Sequence, residues 1–160
     1  MSRGRPPNWN PFSSLGADVW TEVAEFGSKG RIGIALAARR RLPWFDEAVE
    51  NGLLATLEPD GYAQLEPWSS AGGELVAEIK EKISIAHNLR GEIILAAMDR
   101  YMFISVEGNG RLVAPGNLVA HIDPDNSGRA RFVVRDSKLW IWSEKQWQSR
   151  RPERLSVLSR

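Results

Sequence analysis

The chain has 160 residues, 42% of them hydrophobic, with a formal net charge of +1, seven Trp and no Cys. That is apolar matter for one ordinary core or two very small ones, and the absence of Cys excludes disulfides, thiol catalysis and thiolate metal sites, which fits a cytoplasmic protein. No apolar run approaches the roughly twenty residues that span a bilayer, and Pro6 and Pro7 stand where a signal peptide would turn apolar, so no membrane partner is expected.

Charge is spread unevenly. Residues 1–45 are net +4, residues 46–82 net −7, residues 83–130 net −1 and residues 131–160 net +5. A field of this shape steers a polyanion even when the total is near zero.

In chain order, residues 1–17 hold three Pro and two Arg and read as a flexible basic arm. Residues 18–26 alternate with period two and predict a strand. Ser28-Lys29-Gly30 turns the chain, and Ile32 and Ile34 continue as a second strand. Residues 35–41 are good helix formers stopped by Pro43. Arg39, Arg40 and Arg41 end that helix; they either complement its macrodipole or meet phosphate, and both readings stay open. Residues 46–51 are acidic and read as a loop. Residues 53–57 and 62–65 form a hairpin through Asp60-Gly61, a dipeptide that tolerates the positive φ of a tight turn. Pro67, Ser69, Ser70, Gly72 and Gly73 then close the first copy.

Residues 74–89 predict the clearest helix, with Val76, Ile79, Ile83 and Ala86 on one face and a Glu78–Lys82 pair one turn apart. It is expected to pack on the sheet as a connector, and residues 93–98 extend it as a second short helix. Residues 101–106 read as a strand, Gly110-Arg111 as a turn, and Leu112 and Ala114 as the strand that leaves it. Pro115 suits a helix start over 116–120. Residues 123–128 are a polar turn, residues 131–134 and 138–142 a hairpin, and Trp147 the end of the fold. Residues 148–160 read as a basic tail.

Two stretches correspond. Residues 26–39 and 106–119 share an apolar entry, a polar turn, Gly-Arg and an alternating exit, with Gly30-Arg31 returning 80 positions later as Gly110-Arg111. Each copy therefore reads as strand, Gly-Arg turn, strand, short helix, strand, turn, strand. Units of about fifty residues bury too little to stand alone. The expectation is a β-rich α+β fold with pseudo-twofold symmetry, its strands interleaved around one core that takes Trp20, Leu53, Phe132 and Trp140. Trp68, Trp142 and Trp147 close the copies and are expected to be exposed, at an interface for self-association.

His87 and His121 are the only histidines and read as structural or surface groups. No nucleophile stands with a base, and Gly108-Asn109-Gly110 lacks the third glycine of a dinucleotide fingerprint. No enzymatic activity, metal or cofactor is expected.

Lys29-Gly30-Arg31-Ile32, then Ile34 and the helix formers 35–39, resemble the swapped-hairpin SpoVT-AbrB fold, as do Gly110-Arg111-Leu112 and Ala114-Pro115. Two such copies, closed by Leu65-Glu66-Pro67-Trp68 and by Trp140-Ile141-Trp142 with Trp147, resemble the MraZ family over residues 18–147. Members are bacterial transcriptional regulators of the division and cell-wall gene cluster. The resemblance implies a first SpoVT-AbrB-like repeat at 18–69, a connecting helical segment at 70–98 and a second repeat at 99–147. It implies double-stranded DNA as partner, bound at repeated boxes by a ring-like homo-oligomer in the nucleoid. Arg31 and Arg111 carry over as DNA contacts, and Lys29, Arg39, Arg40 and Arg41 join Arg31 in a phosphate-binding patch.

The family places an Asp four residues before the turn Arg; Gly27 and Glu107 stand there in this chain. Ala35 stands at the family's Pro in the first copy, and Val119 in the second copy stands where the first has Arg39. Glu107 is expected to orient Arg111, leaving Arg31 as a phosphate contact. Gly27 and the acidic stretch 46–82 support the alternative, an antitoxin-like or inhibitory protein-interaction module that has lost DNA binding.

Overall fold

Glycine and short polar residues at positive φ set the corners from which the sheet is built. In a computed structural model that describes residues 10–160, the strands are β1 (Trp20–Glu25), β2 (Arg31–Gly33), β3 (Leu53–Glu58), β4 (Tyr62–Pro67), β5 (Tyr101–Val106), β6 (Arg111–Val113), β7 (Arg129–Arg135) and β8 (Lys138–Ser143). The helices are α1 (Leu36–Arg39), α2 (Phe45–Asn51), α3 (Trp68–Ile85), α4 (Arg90–Arg100), α5 (Gly116–Ile122), α6 (Glu144–Ser149) and α7 (Arg151–Ser156). Of the expected arm 1–17, residues 1–9 lie outside the described residues, and residues 11–15 form turns.

The fold is α+β. One antiparallel sheet runs in the order β1-β7-β8-β4-β3-β5-β6-β2. A bridge between Phe26 and Ile32 brings its two end strands together, so the sheet is nearly a closed barrel. β3 and β4 turn at Gly61, φ 78°; β7 and β8 turn at Asp136 and Ser137, φ 55° and 63°. Two successive left-handed residues make the tight turn that matches strand twist.

The halves exchange strands. β1 pairs along its length with β7, from Trp20 opposite Val134 to Glu25 opposite Arg129. β5 pairs with β3, from Leu53 opposite Ile104 to Thr56 opposite Tyr101. β2 pairs with β6, and β4 with β8. Inward side chains from both halves, including Ile32, Leu53, Leu65, Ile104, Leu112, Phe132 and Ile141, form one buried cluster. Trp20 packs against it, and Trp140 does not join it as expected. In β8 the alternation sends Leu139 and Ile141 inward, so Trp140 and Trp142 face out. Trp20 is half-buried, with the Arg41 guanidinium 4.6 Å above its ring.

Four segments depart from the sequence reading. Residues 46–51 belong to helix α2, because Phe45 and Ala48, one turn apart, are buried and Asp46 and Glu47 sit favourably in the first turn. Residues 67–73, expected to close the first copy, contain the start of α3; Gly72 lies inside the helix, where the Trp68 ring occupies the space of a Cβ. α3 and α4 touch each other and the sheet, α3 at β3 and β4 and α4 at β5 and β3, but bury little of the expected face: Gly72 is the only buried residue of the two, and Val76, Ile85, Leu95 and Met98 are exposed. The i,i+4 pair Glu78–Lys82 forms at 3.7 Å. Residues 148–160 are helical for most of their length.

Arginines hold that last segment. Arg131 of β7 donates to Glu144 of α6 from Nε at 2.7 Å and from Nη2 at 2.8 Å. Arg154 of α7 lies 4.0 Å over the Trp147 ring and donates to the Trp147 carbonyl at 2.6 Å. Burial works to raise the Glu144 carboxyl, but donation from Arg131 and Gln148 outweighs it and holds the group below the usual carboxylate range. A depressed carboxylate stabilises the fold above its unfolded value and loses that contribution as pH falls through the folded value. Glu144→Gln is therefore expected to cost about 1–3 kcal/mol at pH 7, and the gap between variant and wild type should narrow as pH falls through the folded value. Melts across an acid titration, followed by Trp fluorescence, decide it; a gap unchanged by acid would refute the ion pair's role.

Candidate nucleic-acid interface

β2 and β6 pair antiparallel at one end of the sheet, with Arg31 opposite Val113 and Gly33 opposite Arg111; β5 flanks β6, and the Phe26–Ile32 bridge brings the end of β1 to β2, so this ribbon is part of the barrel wall. Ile32 and Leu112 are each 1% exposed and anchor its inner side. Period two then puts Arg31, Gly33, Arg111 and Val113 on the outer side. The pairing runs one residue past each strand: the Ala114 amide donates to the Gly30 carbonyl at 2.9 Å, and the Ile34 amide to the Gly110 carbonyl at 3.3 Å. Each Gly-Arg turn is thus pinned by the other half's strand exit. Gly30 has φ +73° and Gly110 φ +84°, so both need the left-handed region. Arg31 and Arg111 stand diagonally across the ribbon, with Cβ atoms about 7–8 Å apart.

The carboxylate does not serve the arginine expected of it. Glu107 accepts from Nε of Arg31 at 3.1 Å, with the side chains 33% and 37% exposed. Among the described residues the Arg111 side chain makes no ion pair or hydrogen bond; its backbone amide donates to the Asn109 side chain at 3.1 Å and its carbonyl accepts from the Glu107 amide at 2.8 Å. The reason lies in the strand exchange. Glu107 is beside Arg111 along the chain, but the β2–β6 pairing brings Arg31 alongside from the other half. The position 80 residues before Glu107, the offset that separates the two Gly-Arg turns, is 27, where Gly27 has no side chain.

The other candidate cations divide. Lys29 and Arg40 are exposed. Arg39 lies across the second turn: a Cβ on Gly110 would sit 2.9 Å from its Cζ, and its Nε is buried without a hydrogen-bond partner. Arg41 donates to the Ala37 carbonyl at 2.6 Å and stacks on Trp20, so it serves α1. The solvent-facing set around the ribbon is therefore Lys29, Arg31, Arg40 and Arg111, with Arg39 beneath the Gly110 turn. At the same offset of 80 positions Val119 stands for Arg39, and a groove of about 540 Å³ opens beside Gly27, Lys29, Gly30, Val119 and Asp123.

One supporting residue had no signal in the sequence. Glu22 of β1 accepts from the Ala35 amide at 3.0 Å and from the Trp20 indole at 2.7 Å, fixing the start of α1 and the shelf on which Arg41 lies. His121 has a structural place: its Nε2 is 2.7 Å from the Glu58 carbonyl and 3.2 Å from that of Tyr62. Both partners accept, so that nitrogen carries the proton. The Trp residues expected at an interface are part-buried and contact neighbours within the chain. Trp68 packs edge-on against Phe103 and Trp142 stacks on Tyr62 at 4.3 Å.

Among the described residues no cluster of three metal-ligating side chains occurs, and no helix is long and apolar enough to cross a membrane. No protein-family model matches the chain, and no curated protein matches it in sequence.

Proposed function

We propose that the chain is a DNA-binding transcriptional regulator of the MraZ type, built from two SpoVT-AbrB-like swapped-hairpin repeats at 18–69 and 99–147. One observation carries the reading: Arg31 and Arg111 lie on the outer side of the β2–β6 pair, each next to a Gly turn that is hydrogen-bonded to the other half's strand exit. A guanidinium held at a rigid turn offers a planar fork that matches the O6 and N7 edge of guanine or clamps phosphate. Exposed Lys29 and Arg40 add phosphate contacts on the flanks. The strand exchange between halves supports the swapped-hairpin description, since each half completes the other's sheet.

A gel-shift titration tests it, using the DNA upstream of the protein's own gene and a scrambled duplex. The expected result is retardation of the first at concentrations that leave the second free. Retardation of neither at low salt would favour the other reading, a protein-interaction module. That reading draws on the α3–α4 hairpin, whose Ile85, Leu95 and Met98 are 79%, 64% and 64% exposed.

Self-association belongs to the proposal, because one ribbon gives few contacts and linked copies multiply them through effective concentration. Sedimentation at micromolar concentration should show species larger than the 17.9 kDa chain. A single species of that mass would remove the oligomer from the reading.

A further inference from the structure

The β2–β6 ribbon is symmetric in backbone and asymmetric in charge. Its two ends share register, buried anchors and cross-turn hydrogen bonds. At one end Glu107 holds Nε of Arg31. At the other, Gly27 leaves Arg111 with no carboxylate among the described residues, and Val119 leaves open a groove where the first end has Arg39. From this we infer that the ribbon is a polar reader of duplex DNA: its Arg31 end reads base edges, its Arg111 end holds phosphate, and the chain seats on an asymmetric element in one orientation. The inference rests on the DNA-binding reading above and adds what each end does there.

Three physical points support it. A carboxylate on Nε leaves the two terminal nitrogens of Arg31 free in one pose, the fork that meets guanine O6 and N7. The Arg31–Glu107 pair is locally neutral, so it draws little on phosphate and releases few counterions, and its anion disfavours close approach to the backbone. Arg111 is a full, unpaired charge on a mobile stem, which follows phosphate and carries little sequence information. A twofold reader would take a palindrome; this one meets two half-sites with different chemistry.

The asymmetry is reversible by design. Gly27 has φ −90°, and a Cβ there would meet nothing closer than the Arg31 carbonyl oxygen at 3.5 Å. A carboxylate installed at position 27 stands to Arg111 as Glu107 stands to Arg31.

The experiment selects duplexes from a random pool on the wild-type chain. The recovered duplex and a scrambled one are then titrated at about 50 and 200 mM salt, the range over which phosphate contacts are resolved. Arg31→Ala, Arg111→Ala, Glu107→Gln and Gly27→Glu are compared, with a melt of each to show that it is folded. The selected sequence should be non-palindromic. Arg31→Ala should cut the ratio of selected to scrambled affinity by about 10- to 100-fold. Arg111→Ala should weaken both duplexes alike and flatten the salt slope by about one contact. Glu107→Gln, by freeing Arg31, should raise affinity for the scrambled duplex several-fold and steepen the slope. Gly27→Glu should flatten the slope and shift selection toward palindromes; if that variant does not fold, Glu107→Gln alone carries the test. A palindromic selected sequence, or equal loss of discrimination in the two arginine variants, would overturn the polarity while leaving DNA binding in place. Retention of no duplex at the lower salt would overturn both.

Discussion

Gly30→Ala is expected to destabilise the protein by about 2–4 kcal/mol, and its pseudo-symmetric counterpart Gly110→Ala by about 1–2 kcal/mol. Both glycines need the left-handed region, φ +73° and +84°, so both variants carry that backbone strain. They differ in what a methyl group would meet. At Gly30 a Cβ would fall on the Ala114 carbonyl oxygen. That oxygen is main chain, in the Ala114–Pro115 peptide that leads into α5, so it moves only if the strand exit itself moves, and that exit is tied to Gly30 by the hydrogen bond from the Ala114 amide to the Gly30 carbonyl at 2.9 Å. Relief there breaks the ribbon's end. At Gly110 the methyl meets Cζ, Nε and Cδ of Arg39 at 2.9–3.0 Å, the far part of a long side chain that can swing away. Gly27→Ala, at φ −90° with nothing nearer than 3.5 Å, is the neutral control. Urea titrations of the three variants measure the order directly. Equal cost at Gly30 and Gly110 would mean that only φ matters and that the turns are not pinned to each other. The larger loss corresponds to a melting shift of roughly 5–15 °C for a chain of this size.

Much of the strand layout was legible because hairpin chemistry is local. Asp60-Gly61, Asp136-Ser137 and the two Gly-Arg turns are set by residues within four positions of each other, and period-two alternation carries the strands between them. The Gly-Arg repeat also pointed to a shared core before any pairing was known. The partner of Glu107 was not legible. Arg111 lies four residues away in the chain, whereas Arg31 is 76 positions away and arrives only through the β2–β6 pairing. Local spacing favoured the wrong arginine.

The remaining misreadings have one origin: a residue's type was taken for its role. Asp46, Glu47 and Glu50 mask a helix whose packing rests on Phe45 and Ala48. Gly72 and Gly73 read as the close of the first copy, yet Gly72 is the small residue a helix needs beneath the Trp68 ring. The face of Val76, Ile79, Ile83 and Ala86 on α3 read as packed on the sheet, yet none of the four is fully buried. The arginines after Trp147 read as solvated tail, yet Arg150 and Arg154 sit over Trp142 and Trp147 at 5.0 and 4.0 Å. A cation over an aromatic ring is a tertiary contact with no sequence period of its own.

Phe132→Ala should cost about 3–5 kcal/mol, and the loss should be felt in both halves of the chain. Phe132 is fully buried in β7, opposite Glu22 of β1 on one side and Ile141 of β8 on the other. Its strand belongs to the second half of the sequence but completes the sheet of the first. The cavity left by the ring is walled by strands paired on both edges, which cannot collapse into it, so the upper part of that range applies. Val23→Ala, on the outward side of β1 and 42% exposed, should cost under about 1 kcal/mol. Because β1 pairs with β7 and β5 with β3, unfolding should be a single transition in which amides of Leu53 and Leu65 lose exchange protection together with those of Val134 and Ile141. Expressed alone, residues 1–70 and 98–160 should show no cooperative melt, since each lacks the strands that complete its sheet. If Phe132→Ala lowered protection only among residues 99–147, or if either fragment melted cooperatively as a monomer, the halves would be independent folding units and the shared core would not be what holds the chain together.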